Sequence, residues 1–193
     1  MAKSRPAVQV GLESIGSVVI ARKELLVALA DMTFDLAMFA EHARDDAQGQ
    51  QQPLFCPRIV VRPTGQQVPW QQRWRPVLPD MENWASGDRP WIDDLAEIAK
   101  VTASRSGMEI GDFPGVSTLL DLEIRSLLVL GISEGEQLVA SIMIGSNETG
   151  AYDAGSFSRL ANGPAESVGR SLLAERRERR EALVREDAHT VPA

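Results

Sequence analysis

The sequence predicts an α+β fold: a central antiparallel sheet flanked by N- and C-terminal helices. Three observations carry this. Arg125–Ile132 and Gln137–Gly145 are apolar runs of strand length, rich in Leu, Val and Ile, joined by the turn residues of "SEGE". Both runs are apolar at successive positions, so each would be covered on two sides, which places this hairpin at the centre of a sheet. Helical spacing of apolar residues appears before and after it, and no internal repeat is present.

Residues 1–15 read as a loose arm. From Ser17 to about Arg44 the pattern predicts a helix, because Leu25, Leu29, Met32, Leu36 and Phe39 fall in steps of three and four. Arg22, Lys23, Asp31, Asp35 and Glu41 would form its polar side. "RDDAQGQQQP" breaks that helix as a polar loop closed by Pro53. "CPRIVVRPTGQQV" predicts a strand over Arg58–Arg62, a turn at Pro63-Thr64-Gly65 and a return strand. All four tryptophans follow, Trp70, Trp74, Trp84 and Trp91, among prolines at 69, 76, 79 and 90. Those prolines exclude a long helix or a central strand and predict edge strand with irregular connection.

"IDDLAEIAKVTASRSG" predicts a helix capped by Asp93 or Asp94, with Leu95, Ile98, Ala99 and Thr102 inward and Gly107 as its stop. After the hairpin, "SNETGAYD" is a polar loop. A final helix is predicted from about Ala154 to Arg185, with Phe157, Leu160, Ala161, Val168 and Leu172 on one face and a kink or break at Pro164. Its later turns lose the apolar stripe; Glu175–Arg179 and Glu181–Arg185 are spaced to pair along the helix. "DAHTVPA" reads as disordered. The resulting division is an arm at 1–15, a domain at 16–175 and a charged extension with a tail at 176–193.

Composition narrows the function. The 193 residues carry a formal net charge of −7, which opposes broad nucleic-acid binding through phosphate neutralisation. The run Arg176–Arg180 is interleaved with glutamate and reads as a solvated, self-paired helix. A single cysteine, Cys56, excludes an intramolecular disulfide and fits a cytoplasmic protein; between Phe55 and Pro57 it reads as a small buried hydrophobe. No run approaches the roughly 20 apolar residues of a membrane span. His42 and His189 are the only histidines, too few for a hydrolytic triad or a metal cluster. His42 reads as a surface helix residue, with haem ligation as its functional alternative.

Three segments carry a resemblance. "ASGDRPWIDDLA" (Ala85–Ala96), "EIRSLLVLGISEGEQLVASIMIGS" (Glu123–Ser146) and "GAYDAGSFSRLANGPAESVGRSL" (Gly150–Leu172) occur in the order and spacing of the GAF family. The chain resembles these small-molecule sensor modules, which are related in fold to PAS domains. The resemblance implies a pocket between the sheet and the segments Trp84–Leu95 and Ala99–Phe113. Its candidate ligand contacts are Trp84, Trp91, Asp94, Ile98 and Phe113. The floor would be Ser126, Leu128, Ser141 and Met143, or their opposite-face neighbours.

Departures from the family pattern restrict the ligand. Asn147 is followed by Glu148, unlike the Asn-Lys signature of cyclic-nucleotide binders. The lone Cys56 opposes both methionine sulfoxide reductase chemistry and covalent bilin attachment. The cofactor is therefore unknown. The implied function is a stand-alone sensory or regulatory domain that binds a small molecule. It would form a homodimer through the faces Leu25–Phe39 and Phe157–Leu172 and signal to a partner in trans. A ligand-free dimerisation protein and a small enzyme on the same fold are the alternatives.

Overall fold

The computed structural model describes residues 15–45, 52–76 and 89–189. The N-terminal arm, the middle of the glutamine-rich loop, the stretch containing Trp84, and residues 190–193 lie outside the described residues. The elements are α1 (Ile15–Ala28), β1 (Leu36–Asp45), β2 (Gln52–Val61), β3 (Arg75–Pro76), β4 (Trp91–Ile92), α2 (Leu95–Ser106), a short 3₁₀ turn (Ile110–Asp112), α3 (Pro114–Asp121), β5 (Ser126–Glu134), β6 (Gln137–Ser146), α4 (Ala154–Asn162) and α5 (Ala165–His189). Six strands form one sheet in the order β3-β2-β1-β6-β5-β4, with every pairing antiparallel.

The hairpin lies where its sequence predicts, with β6 beside β1 in the middle of the sheet. Gly135, at φ 61°, takes the left-handed backbone its tight turn requires. Helix α2 is capped as expected: the Asp94 carboxylate accepts from the backbone N–H groups of Ala96 and Glu97, and Gly107 closes the C-terminus at φ 65°. Of its predicted stripe, Leu95 and Ala99 are buried while Ile98 and Thr102 are half-buried. The tryptophan- and proline-rich segment supplies two-residue strands at both edges of the sheet, β3 and β4. Gly163 and Pro164 separate α4 from α5.

The long N-terminal helix is corrected. Helix α1 stops at Ala28, and Leu36–Asp45 is a strand between β2 and β6. The three-and-four spacing of Leu36 and Phe39 is coincidental, because a strand covered on both faces is apolar at every position. Asp35 pins the start of this strand: its carboxylate accepts from the Ser146 hydroxyl at 3.2 Å and the Asn147 N–H at 2.9 Å. The strand predicted at Arg58–Arg62 begins earlier, at Gln52, and contains Cys56. In place of the predicted return strand there is a single bridge between Val61 and Gln67. Helix α5 continues through His189, so Asp187–His189 of the tail expected to be disordered are helical.

Alternation along the strands divides the core in two. Against α1, α4 and α5 lie Ala37, Phe39, Ile59, Val61, Leu128, Leu130, Ile132, Ile142 and Ile144, together with Leu25, Leu29, Leu160, Leu172 and Leu173 from the helices. Gly169 lets α5 approach closely, since a Cβ there would fall 2.3 Å from Ile132 Cδ1. Against α2 and α3 lie Leu36, Met38, Phe55, Val60, Leu127, Val129 and Met143, with Leu95, Ala99, Phe113, Val116 and Leu119 above them. We refer to these as the long-helix face and the short-helix face.

Candidate functional site

Strand β1 presents one titratable side chain to each face at consecutive positions. Glu41 points to the long-helix side, 4% exposed, and is met by three arginines. Arg58 Nε lies 3.1 Å from Oε1, Arg176 Nε donates to Oε1 at 2.6 Å, and Arg180 Nη2 donates to Oε2 at 2.8 Å. Burial pushes this carboxyl up, but the charges of Arg58, Arg180 and Arg176 together outweigh it and hold the group below its ordinary value. Arg58 also stacks over Trp74, 5.5 Å from the ring centroid. The self-paired reading of the arginine run is thus corrected in part. Arg179 does pair with Glu175, but Arg176 and Arg180 reach Glu41, and Arg177 reaches Glu134.

His42 faces the short-helix side, not solvent on a helix as its sequence context predicted. Its Nε2 is hydrogen-bonded to the Ser141 hydroxyl at 2.8 Å. Its Nδ1 is buried with no partner among the described residues. Burial lowers its pKa to about 4, so the ring is neutral near pH 7.

Orphaned polar atoms gather at this end of the short-helix face. Five buried side-chain nitrogens lack a hydrogen-bond partner among the described residues: His42 Nδ1, Arg58 Nε, Trp70 Nε1, Arg75 Nε and Arg125 Nε. Arg58 and Arg125 already belong to ion pairs, with Glu41 and Asp94. The remaining three share one end of one face. Phe55 is the register partner of both His42 and Arg75, so these three residues form a row across β1, β2 and β3. Trp70 packs against the same core. Helix α3 closes the row from above, with Gly115 so near the Phe55 ring that a Cβ would stand 2.4 Å from Cζ. A groove of about 310 Å³ opens beside it, lined by Pro69, Trp70, Gln71, Arg73, Arg75 and Thr118.

The structure distributes the sequence-derived candidates over both faces. Ile98, Phe113 and Met143 belong to the short-helix face, and Ser141 joins them there through His42. Leu128 lies on the opposite side with Trp91, its register partner. Ser126 shares the parity of Leu128 along β5 and donates to the Glu148 carbonyl at 2.7 Å. Leu128 therefore cannot share a floor with Ser141 and Met143: its register partner is Ile144, whereas Ser141 faces Gly131 and Met143 faces Val129. Asp94 caps α2 and pairs with Arg125 at 3.0 Å, and its carboxyl is held below the ordinary range although slight burial pushes the other way. Trp84 lies outside the described residues. His42, Trp70 and Arg75 were absent from the predicted set, and the one sequence signal near them was the tryptophan- and proline-rich segment.

Among the described residues no group of three His, Cys, Asp or Glu side chains could hold a metal ion, and no helix is long and apolar enough to cross a membrane. Cys56 is buried, its thiol pushed up chiefly by burial.

No protein-family model and no curated protein matches the sequence. Solved structures do match. The GAF domain of a two-component sensor histidine kinase from Bacillus halodurans aligns with 13% identity and a TM-score of 0.50, covering 84% of this chain and 97% of that one. A domain assigned to a two-component sensor histidine kinase protein from Sinorhizobium meliloti 1021 aligns with 12% identity and a TM-score of 0.44, covering 90% of this chain and 99% of that one. At such identities the likeness is one of architecture: this chain has a GAF-like fold.

Proposed function

We propose that the chain is a sensory or regulatory domain that binds a small molecule against the short-helix face and passes the change to a partner through its terminal helices. The observation that carries this reading is that Trp70 and Arg75, each with a buried nitrogen unpartnered among the described residues, line one groove, while His42, with a third such nitrogen, stands in the same strand row as Arg75 with Phe55 between them. An unpaired buried polar atom costs about 1–3 kcal/mol, and two on residues that line one groove favour a molecule that meets them. Met38 and Met143 are cross-strand partners on this face, and their unbranched thioethers can repack around a guest. The route outward is short. His42 and Glu41 are consecutive on β1, so a shift that a ligand imposes at His42 displaces the acid that holds α5.

Homodimerisation through the terminal helices belongs to the same proposal, but not through the expected faces: Leu25, Leu29 and Phe39 of the first and Leu160 and Leu172 of the second are buried in this domain's own core. Val19, Ile20 and Val27 of α1 are 48%, 60% and 64% exposed, an apolar surface suited to a second copy. This surface also favours the second reading, a dimerisation protein with no ligand.

Native mass spectrometry on protein purified from its host, followed by denaturation, separates the two. Mass that leaves on denaturation supports the sensor. A clean dimer with no adduct, and no rise in melting temperature from any metabolite tried, would sink it in favour of the structural reading.

A further inference from the structure

We infer that the groove between β2, β3 and α3 is an oxyanion subsite, and that the small molecule taken there presents a carboxylate or phosphate to Arg75 and Trp70. This rests on the ligand-binding reading above and adds the chemical class. Arg75 is 6% exposed. Its Nη2 donates to Gln71 Oε1 at 3.4 Å, and no carboxylate pairs with it among the described residues. Trp70 lines the same groove, and its buried indole N–H is a second donor unpartnered among the described residues. The other polar groups of the lining do not supply the missing charge: the Thr118 hydroxyl donates to the Pro114 carbonyl at 2.7 Å, and Arg73 is a further cation.

The contrast with the rest of the chain is informative. Arg58 and Arg176, similarly drawn in, meet Glu41, and Arg125 meets Asp94. Arg75 is a buried cation to which the described chain supplies only a neutral amide oxygen. An uncompensated buried charge is costly, and a guanidinium with an indole N–H beside it calls for a partner that only accepts hydrogen bonds and bears negative charge. Burial first, and the neighbouring Arg73 second, weaken the hold of Arg75 on its proton, and the charge of an anion in the groove would oppose both. A cationic or purely apolar guest would leave both donors unmet.

The test uses the full chain labelled with ¹⁵N and follows the indole N–H signals, with Trp70→Phe identifying that of Trp70. Inorganic phosphate and acetate are titrated separately at constant ionic strength against sodium chloride. The Trp70 signal is expected to move saturably with at least one of them and to stay fixed in chloride. Stronger binding of phosphate assigns a phosphorylated ligand, and stronger binding of acetate a carboxylate. Arg75→Met should weaken the affinity roughly 10- to 100-fold, as loss of a charge-assisted hydrogen bond implies. Should Arg75→Met not fold, Trp70→Phe gives the same information by calorimetry through a weaker anion affinity. An unmoved Trp70 signal with both anions, or an unchanged titration in Arg75→Met, overturns the subsite. If both anions fail while a neutral compound co-purifies and shifts the His42 signals, the ligand-binding reading stands and the anionic assignment alone falls. If nothing binds by either route, both fall.

Discussion

On the long-helix face, the buried carboxylate of Glu41 is met by three guanidinium groups. On the short-helix face, Arg75 is buried with a glutamine oxygen as its partner among the described residues, and His42 and Trp70 each keep an unpaired nitrogen. Both faces belong to one sheet and both are apolar at their centres. They differ in what the chain does with its polar atoms. Where the helices are long and permanent, the polar groups are paired internally and add to stability. Where the cover is short, three buried nitrogens have no partner among the described residues, and two of the residues that carry them line a groove. Buried polar groups are ordinarily hydrogen-bonded, so the exceptions on one side of the sheet are what set the two faces apart.

The largest effect expected from this division lies on the long-helix face. Glu41→Gln removes the buried acid that Arg58 and Arg176 share, a change worth about 3–5 kcal/mol for a buried pair; Arg180 is largely solvated and contributes less. Urea denaturation should show this as a lower midpoint. A loss under about 1 kcal/mol would mean the arginines rehydrate freely and that the two faces do not differ as described.

Next comes the response to acid, which separates the faces by pH. His42 takes its proton below about 6.5 in the unfolded chain and only below about 4 in the folded one. The unfolded state thus binds more protons between these values, and stability falls as pH drops from 6.5 to 4, by up to roughly 2–3 kcal/mol. Glu41 behaves differently. Its folded pKa is lowered from 4.5, so its contribution is intact above 4.5 and is lost only as pH falls below that value. Urea midpoints measured from pH 7.5 to 4.5 should slope downward in the natural sequence and flatten in His42→Gln. Identical slopes in both proteins would exclude His42 as the group responsible.

Smaller effects come from the two glycines where helix meets sheet. Gly115→Ala on α3 drives a Cβ into the Phe55 ring, a rigid neighbour, and should cost about 1–3 kcal/mol. The pair Gly115→Ala with Phe55→Leu should recover part of it, and a cost that simply adds would show the two sites are uncoupled. Gly169→Ala on α5 meets the side-chain ends of Ile132, at 2.3 Å, and Ile142, at 3.2 Å, and the gain in helix propensity of about 1 kcal/mol offsets the crowding. Its melting temperature should change least of the set.

These residues also show what could be read from the sequence. The hairpin was legible because two uninterrupted apolar runs around a turn admit few other structures, and α2 because Asp94 and Gly107 mark its ends. Strand β1 was not legible. Leu36, Phe39 and their neighbours are apolar on both faces, so periodicity there carries no information about strand or helix, and the correct spacing of Leu25 and Leu29 extended a helix that ends at Ala28. With β1 misread, Glu41 and His42 were assigned to solvent. The groove was hidden for a different reason: Arg75, Phe55 and His42 are neighbours only through strand register, which single residues do not declare. The tryptophan- and proline-rich stretch marked the neighbourhood of Trp70 without naming its partner.

The clamp on Glu41 has a mechanical meaning. Arg176 and Arg180 grip the sheet on consecutive turns of a helix that continues to His189. From Arg176 to its end the helix extends about 20 Å at 1.5 Å per residue. Such a rod, anchored to Glu41 through two arginines and to Glu134 through Arg177, would turn a small tilt at its anchors into a larger movement of its far end. A tilt of about 5° there would carry the far end nearly 2 Å.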